Sequence, residues 1–468
     1  MIPVWTGAVV TFKSKSSTRT ISGIYLSDLY VLTLSYPLIR GGKQEVEVGE
    51  NNARAIRFLS PRSDSNIELS PYVITSKPSD RYGSLVILKL ETPYESFKSL
   101  PSFCLGNLVS RGDRVVLVST PFGKTSPSVL QNSVTSGIVS ANLSSSLYFT
   151  DARSLQGSEG GPVFIKSSST YSLFGLILPS HPMSSLTPIL AISKSLYSLF
   201  STYITSLGHV VTTTTTTTSR INRVINRVLK SILLVSLPST STWCTGVLIS
   251  SQGHVLTCSH AMSKSQPRSI LLLDHNTSTT YSDVRLVHRC EGSLDLALLH
   301  CPSLSNRSFL SCPTINDRRM MMNTENNDHP PVLVLGHSEF PPDFRSESIL
   351  FSPLPPTVTL GTLSKSTSTL TQTSAMVLRG HSGGALVNAC SGDLLGIVTS
   401  HAKLNEEIII HRLNFSVSVK PVREMISYAR TGHEIHLDEI RRLDASEKEM
   451  KMWRLETSSS IELLLSRL

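Results

Sequence analysis

The chain alternates short apolar runs with Ser, Thr, Gly, Pro and Asn, and this rhythm persists over most of its length. Runs such as SILLVSLP from Ser231 and VLVLG from Val332 are strand-sized and end at turn-forming residues. Short runs with such punctuation predict many strands of ordinary length and an all-β fold. Two stretches break the rhythm. Thr212 to Thr218 is an unbroken threonine run. It offers nothing to a core, so a linker is expected over 206–228. The C-terminal stretch 426–468 is charged, with runs such as DEIRRLDASEKEMKMWRL, and reads as a helical tail. It is too short for a separate peptide-binding domain of ordinary size. The expected organisation is therefore one β domain over 1–205, the linker, a second β domain over 229–425, and the tail.

The two β halves resemble each other. GIYLSDLYVLTLSYP from Gly23 aligns with GVLISSQGHVLTCSHA from Gly246, and GSLVILKL from Gly83 aligns with GSLDLALL from Gly292. VLVSTPFG from Val116 pairs with VLVLGHSE from Val332, and SVTSGIVS from Ser133 with TVTLGTLS from Thr357. LQGSEGGPVF from Leu155 pairs with LRGHSGGALV from Leu378, and GLILPSH from Gly175 with GIVTSHA from Gly396. Six segments in one order point to internal duplication. In this alignment Tyr36 stands opposite His260, Val86 opposite Asp295, and Glu159 opposite Ser382.

Composition removes several function classes. The formal charge of +9 is spread over 468 residues without a Lys/Arg block, so nucleic acid is not an expected partner. No stretch reaches the roughly 18 apolar residues of a membrane span. The start, MIPVWTGAVVTF, lacks a basic region and a sustained apolar core, so no secretory signal is expected. The sequons at Asn142, Asn276, Asn306 and Asn414 read as chance matches in so Ser-rich a chain. Cys104, Cys244, Cys258, Cys290, Cys301, Cys312 and Cys390 are odd in number and scattered, which suits free thiols in a reducing compartment. No pair has zinc-finger spacing, and no metal or other cofactor is expected.

The second half carries chemistry. A serine hydroxyl needs a base to act as nucleophile, a carboxylate to orient that base, and N–H donors aimed at the developing oxyanion. In GHSGGA, Ser382 is the candidate nucleophile, and the N–H groups of Gly380 and Ser382 are the candidate oxyanion hole. Gly380, Gly383 and Gly384 permit the turn and the close approach of a substrate backbone. His260 ends the strand VLTCSH and is the candidate base. Asp295 opens the apolar strand LALL and is the candidate orienting carboxylate, with Asp274 and Asp283 as rivals. The chain order His, Asp, Ser is that of chymotrypsin, not of subtilisin or the α/β-hydrolases.

These residues make the second half resemble the trypsin-like proteases, whose fold is a pair of six-stranded β-barrels with the triad in the cleft. The expected architecture is thus all-β, tandem chymotrypsin-like double β-barrel domains, the first degenerate, with a short helical C-terminal tail. Two departures stand out. Ala261, not Cys, follows His260, and His381, not Asp, precedes Ser382. The usual disulfide and the usual zymogen activation are therefore not expected, as in the intracellular DegP/HtrA-like branch.

The chain also ends Ser466-Arg467-Leu468, a variant of the Ser-Lys-Leu peroxisomal address. Taken together, the chain resembles the trypsin-like peroxisomal matrix peptidases, Deg-type proteases that process leader peptides. The resemblance implies a serine endopeptidase of the peroxisome matrix. It would remove N-terminal presequences from imported matrix proteins, process some β-oxidation enzymes, and cleave itself, with the threonine-rich linker as a candidate site. It implies a peroxisomal import receptor as a partner of the C-terminus and leaves a homo-oligomer open. Met376 falls where related proteases line the floor of the main pocket, and its apolar side chain would suit an uncharged residue. Gly396, Thr399 and Ser400 lie on the strand expected to pair with substrate backbone. Two alternatives stand beside this reading: a DegP-like quality-control protease in another compartment, and a non-catalytic pseudoprotease scaffold.

Overall fold

The computed structural model describes residues 7–13, 18–27, 30–34, 45–48, 51–59, 85–91, 95, 102–104, 108–122, 127–167, 170–180, 185–200, 210–211, 220–238, 242–262, 270–313, 330–339, 355–404 and 408–446. The chain forms two compact units, and the chain passes from the first to the second between Asn222 and Arg223. Tyr36, the threonine run and the terminal tripeptide lie outside the described residues.

In the first unit, β1 (Gly7–Lys13), β2 (Thr18–Tyr25), β3 (Tyr30–Leu34), β4 (Glu45–Val48), β5 (Asn51–Leu59) and β6 (Leu85–Leu90) close a barrel in the order β1-β2-β3-β6-β5-β4. After the short β7 (Phe103–Cys104) come β8 (Arg114–Ser119), β9 (Ser133–Asn142), β10 (Leu147–Thr150), β11 (Pro162–Ser167), β12 (Thr170–Ile177), β13 (Thr187–Ala191) and the short β14 (Val210–Val211). A pairing of β11 with β12 joins the ends of β11-β8-β9-β10-β13-β12 into a second ring. Val115, Leu117, Val139, Val163 and Phe174 fill it.

The second unit repeats the plan. Its first sheet contains β15 (Ile232–Leu237), β16 (Thr242–Leu248), β17 (His254–Thr257), β18 (Leu271–Asp274), β19 (Thr279–Tyr281), β20 (Arg285–Arg289) and β21 (Ala297–His300). The order is β19-β18-β15-β16-β17-β21-β20, a barrel left open between β19 and β20. Along β18, Leu272 and Asp274 point inward and Leu271 and Leu273 are half-buried, the two-residue period of a strand. The second barrel is closed by β22 (Pro331–Gly336), β23 (Thr357–Ser366), β24 (Leu370–Thr373), β25 (Ala385–Asn388), β26 (Leu394–Leu404) and β27 (Ile408–Ser418), in the order β22-β23-β24-β27-β26-β25. This matches the ring order of β8 to β13 in the first unit.

Two helices follow. Helix α1 (Val419–Thr431) buries Val422, Met425, Ile426 and Ala429 along one face. It stops at Gly432, whose φ of 70° suits a left-handed cap and whose N–H bonds to the Tyr428 carbonyl at 2.8 Å. Helix α2 (Glu434–Asp444) buries Leu437, Ile440 and Leu443. The tail's helix thus begins at Val419, directly off β27. The architecture is all-β and tandem chymotrypsin-like, with a helical C-terminal addition.

The duplication extends to individual hydrogen bonds. Ser22 N–H bonds to the Glu159 carbonyl at 2.8 Å, and Thr245 N–H bonds to the Ser382 carbonyl at 2.8 Å. Thr33 Oγ1 donates to the Ser22 carbonyl, and Thr257 Oγ1 to the Thr245 carbonyl, both at 2.7 Å. Gly157 and Gly380 share φ near 90°, at 91° and 89°, and Gly160 and Gly383 match at 82° and 81°.

Candidate active site

The pairing of β17 with β21 explains how His260 meets Asp295. Thr257, the last residue of β17, is the antiparallel partner of Ala297, the first residue of β21. The chain leaving β17 and the chain entering β21 therefore lie side by side. Asp295 Oδ1 accepts the His260 backbone N–H at 2.8 Å and the Ser259 hydroxyl at 3.0 Å, and Oδ2 meets His260 Nδ1 at 2.6 Å. An ionised carboxylate only accepts, so Nδ1 carries a proton, and Nε2 has a free lone pair whenever the ring is neutral.

Burial works to raise the Asp295 carboxyl, but the His260 ring and N–H and the Ser259 hydroxyl outweigh it and hold it below the usual carboxylate value. The same bond, with Cys258 adding to it, raises His260 to about 10. The rivals serve elsewhere. Asp274 accepts from Arg307, Thr277 and the Asn276 N–H. Asp283 accepts from the Ser303 N–H and hydroxyl and the Cys301 thiol.

Ser382 sits in the turn before β25. Thr245, in the middle of β16, ties this turn to the first sheet of the unit. Its N–H bonds to the Ser382 carbonyl, and its hydroxyl donates to the Gly380 carbonyl at 2.7 Å and accepts the His337 N–H at 2.8 Å. The glycines are required by contact as well as by φ. A Cβ on Gly380 would lie 2.2 Å from the Trp243 ring, and one on Gly383 would lie 2.0 Å from the Thr245 carbonyl. Among the described residues, neither the Gly380 N–H nor the Ser382 N–H has a hydrogen-bond partner, leaving both available to an oxyanion. In the first unit the matching donor, Gly157 N–H, is taken by the Glu159 carboxylate at 2.7 Å.

His381 is fully buried behind the turn, its Nε2 2.5 Å from Thr357 Oγ1. Burial, with His337 adding to it, pushes it down to about 3, so it is neutral at physiological pH. The residue that replaces the usual Asp is thus an uncharged buttress.

The Ser382 hydroxyl does not meet the base in this conformation. Ser382 Oγ donates to the Thr399 carbonyl at 2.9 Å, and His260 Nε2 lies 3.8 Å from Cys258 Sγ. The His–Asp pair is assembled, and Ser382 is turned toward β26. One ligand atom each of Cys258, His260 and Asp295 lies within 4.8 Å of the others.

The pocket residues fall into two groups. Met376 is half-buried, and its carbonyl accepts the Thr359 hydroxyl at 2.6 Å. Thr399 is buried, with its hydroxyl on the Phe415 carbonyl at 3.2 Å, and Ser400 pairs with Phe415 on β27. Gly396 does not belong with them. It is paired with Leu386 on one side and Ser418 on the other, so its backbone cannot also take a substrate strand. The β26 edge facing β25 becomes free only beyond Val398, because β25 pairs no further than Ile397. Sequence reasoning missed Thr245, whose one signal was a hydroxyl residue, Ser22, at the matching place in the first half.

Residues 244–397 match a family described as a trypsin-like peptidase domain. No curated protein matches the chain. Among solved structures, a serine endoprotease from Yersinia pestis is 24% identical over 46% of this chain and 68% of its own, with a TM-score of 0.35. The HtrA-type protease AlgW with a tripeptide is 21% identical over 46% of this chain and 64% of its own, with a TM-score of 0.35. The chain thus spans about two thirds of the length of these proteins. Residues 244–397 of the second unit are thus similar to a trypsin-like peptidase domain, which supports a serine peptidase.

Proposed function

We propose that the chain is a serine endopeptidase of the peroxisome matrix that removes N-terminal presequences from imported matrix proteins. The observation that carries the catalytic part is the 2.6 Å bond between His260 Nδ1 and Asp295 Oδ2, beside a Ser382 turn with two unclaimed N–H donors. The terminal Ser466-Arg467-Leu468 supports the compartment and an import receptor as partner.

In this reading Ser382 Oγ leaves the Thr399 carbonyl and turns to His260 Nε2. It attacks the scissile carbonyl while Nε2 takes its proton, and the Gly380 and Ser382 N–H groups receive the oxyanion. His260 then protonates the leaving amine, and water hydrolyses the acyl-enzyme by the same route. Thr399 and Ser400 offer backbone to an extended peptide. Met376 lines a pocket for an uncharged side chain. The first unit acts as a scaffold, and the linker is a self-cleavage region.

N-terminal sequencing of peroxisomal matrix proteins, from cells with wild type or Ser382→Ala, tests the proposal. Mature N-termini that vanish with Ser382→Ala are expected. Unchanged N-termini would reject presequence processing. A tagged protein with a free C-terminus that stays outside peroxisomes, as its form without the last three residues should, would reject the compartment.

A further inference from the structure

Asp444, the last residue of helix α2, sits where the helix dipole disfavours a carboxylate and favours Lys or Arg. It makes contacts that offset this. Asp444 Oδ1 accepts the Leu294 N–H at 2.6 Å, and Oδ2 accepts the N–H groups of Gly292 at 2.8 Å and Glu291 at 3.0 Å. Its backbone carbonyl, left over at the helix end, accepts the Ser293 N–H at 3.0 Å and the Ser293 hydroxyl at 3.1 Å. Every N–H from Glu291 to Leu294 thus ends on one residue about 150 positions later in the chain. The approach is so close that a Cβ on Gly292 would lie 2.3 Å from the Asp444 carbonyl. The next residue after this clamped loop is Asp295.

We infer that Asp444 is a positioning residue for the triad: it fixes the Glu291–Leu294 loop and, through it, the Asp295 carboxylate beneath His260. The inference rests on the protease reading of this site. Its physical basis is that a catalytic carboxylate at a strand entrance has no strand hydrogen bonds of its own to hold its backbone. β21 begins only at Ala297, two residues on. Helix α2 supplies the missing anchor, and is itself anchored by Leu437, Ile440 and Leu443 and by the His436–Glu424 and Lys420–Glu439 contacts to α1 at 2.8 and 3.0 Å. The helical addition that sequence reading leaves without a task becomes part of the support of the active site.

The test compares Asp444→Ala with Leu443→Ala. The second variant empties part of the helix core but keeps the five hydrogen bonds. The readouts are the His260 titration midpoint, from 15N-histidine NMR assigned with His260→Gln, and the rate of fluorophosphonate labelling. The midpoint reports Asp295 foremost, then Cys258; the Ser259 hydroxyl acts through Asp295, and Cys290 lies near Asp295 as a thiol whose proton burial retains. Asp444→Ala is expected to lower the midpoint, because a displaced carboxylate favours the imidazolium less. Labelling should fall by about 10- to 100-fold. Leu443→Ala is expected to lower Tm and leave the midpoint in place. Asp444→Asn, which keeps a single carbonyl acceptor, should fall between wild type and Asp444→Ala, and it decides the matter if Asp444→Ala does not fold. A wild-type midpoint in the Asp444 variants, or an equal shift in Leu443→Ala, would overturn the inference. Absence of labelling in wild type would instead strike the protease reading, while the midpoint would still decide the role of Asp444.

Discussion

His260 and Asp295 set the pH behaviour of the site. The base works only when neutral, and Asp295 raises His260 from its ordinary 6.5 to about 10. Labelling of Ser382 should therefore rise as pH climbs toward about 10 and fall as pH drops and the imidazolium accumulates. The same raised value means that the His260–Asp295 attraction stabilises the fold most below 6.5 and is lost as pH rises through about 10. Asp295→Asn should move the ascending limb to lower pH and cut the maximal labelling rate by roughly 10⁴-fold, since the tautomer is no longer enforced. A stopped assay from pH 5 to 10.5 measures both. The His260–Asp295 pair that the structure assembles is legible in sequence because the proposed reaction admits few residue types at each place. Thr245 and Asp444 are not, because hydrogen bonds to backbone can come from many residues, and the partners lie 135 and 150 positions away.

At the scale of elements, the strands are readable from short apolar runs ended by turn-forming residues, and the helical tail from its charged runs. The register is less so. Gly396 looked like a substrate strand because GIVTSH has the right pattern, but pairing with both β25 and β27 occupies it. Only a fold places the end of β25 and so marks where β26 becomes an open edge. The nucleophile turn depends on conformations that Cβ-bearing residues resist. Gly383→Ala adds a Cβ 2.0 Å from the Thr245 carbonyl at a φ of 81°. It should cost roughly 1–3 kcal/mol in urea denaturation and displace the oxyanion donors, with loss of labelling. A variant of wild-type stability and activity would refute the role given to this turn.

Across the whole molecule, each unit carries the same hydrogen-bonded scaffold around its turn, and only the second keeps an open oxyanion hole. The first fills the place of Ser382 with Glu159, whose carboxylate caps Gly157. Glu159→Ser would free that donor, yet in the alignment of the two halves Val86 and Tyr36 match Asp295 and His260 and supply neither a carboxylate nor an imidazole base. No labelling of residue 159 is expected in a Glu159→Ser, Ser382→Ala double variant, as mass spectrometry of the labelled peptides would report. The central claim is that the second unit hydrolyses through Ser382, and active-site labelling addresses it most directly. Purified protein treated with a fluorophosphonate at pH 8 to 9 should carry one adduct, on the peptide containing Ser382, and Ser382→Ala should carry none. A folded wild-type protein without any adduct, or an adduct that persists in Ser382→Ala, would contradict the account.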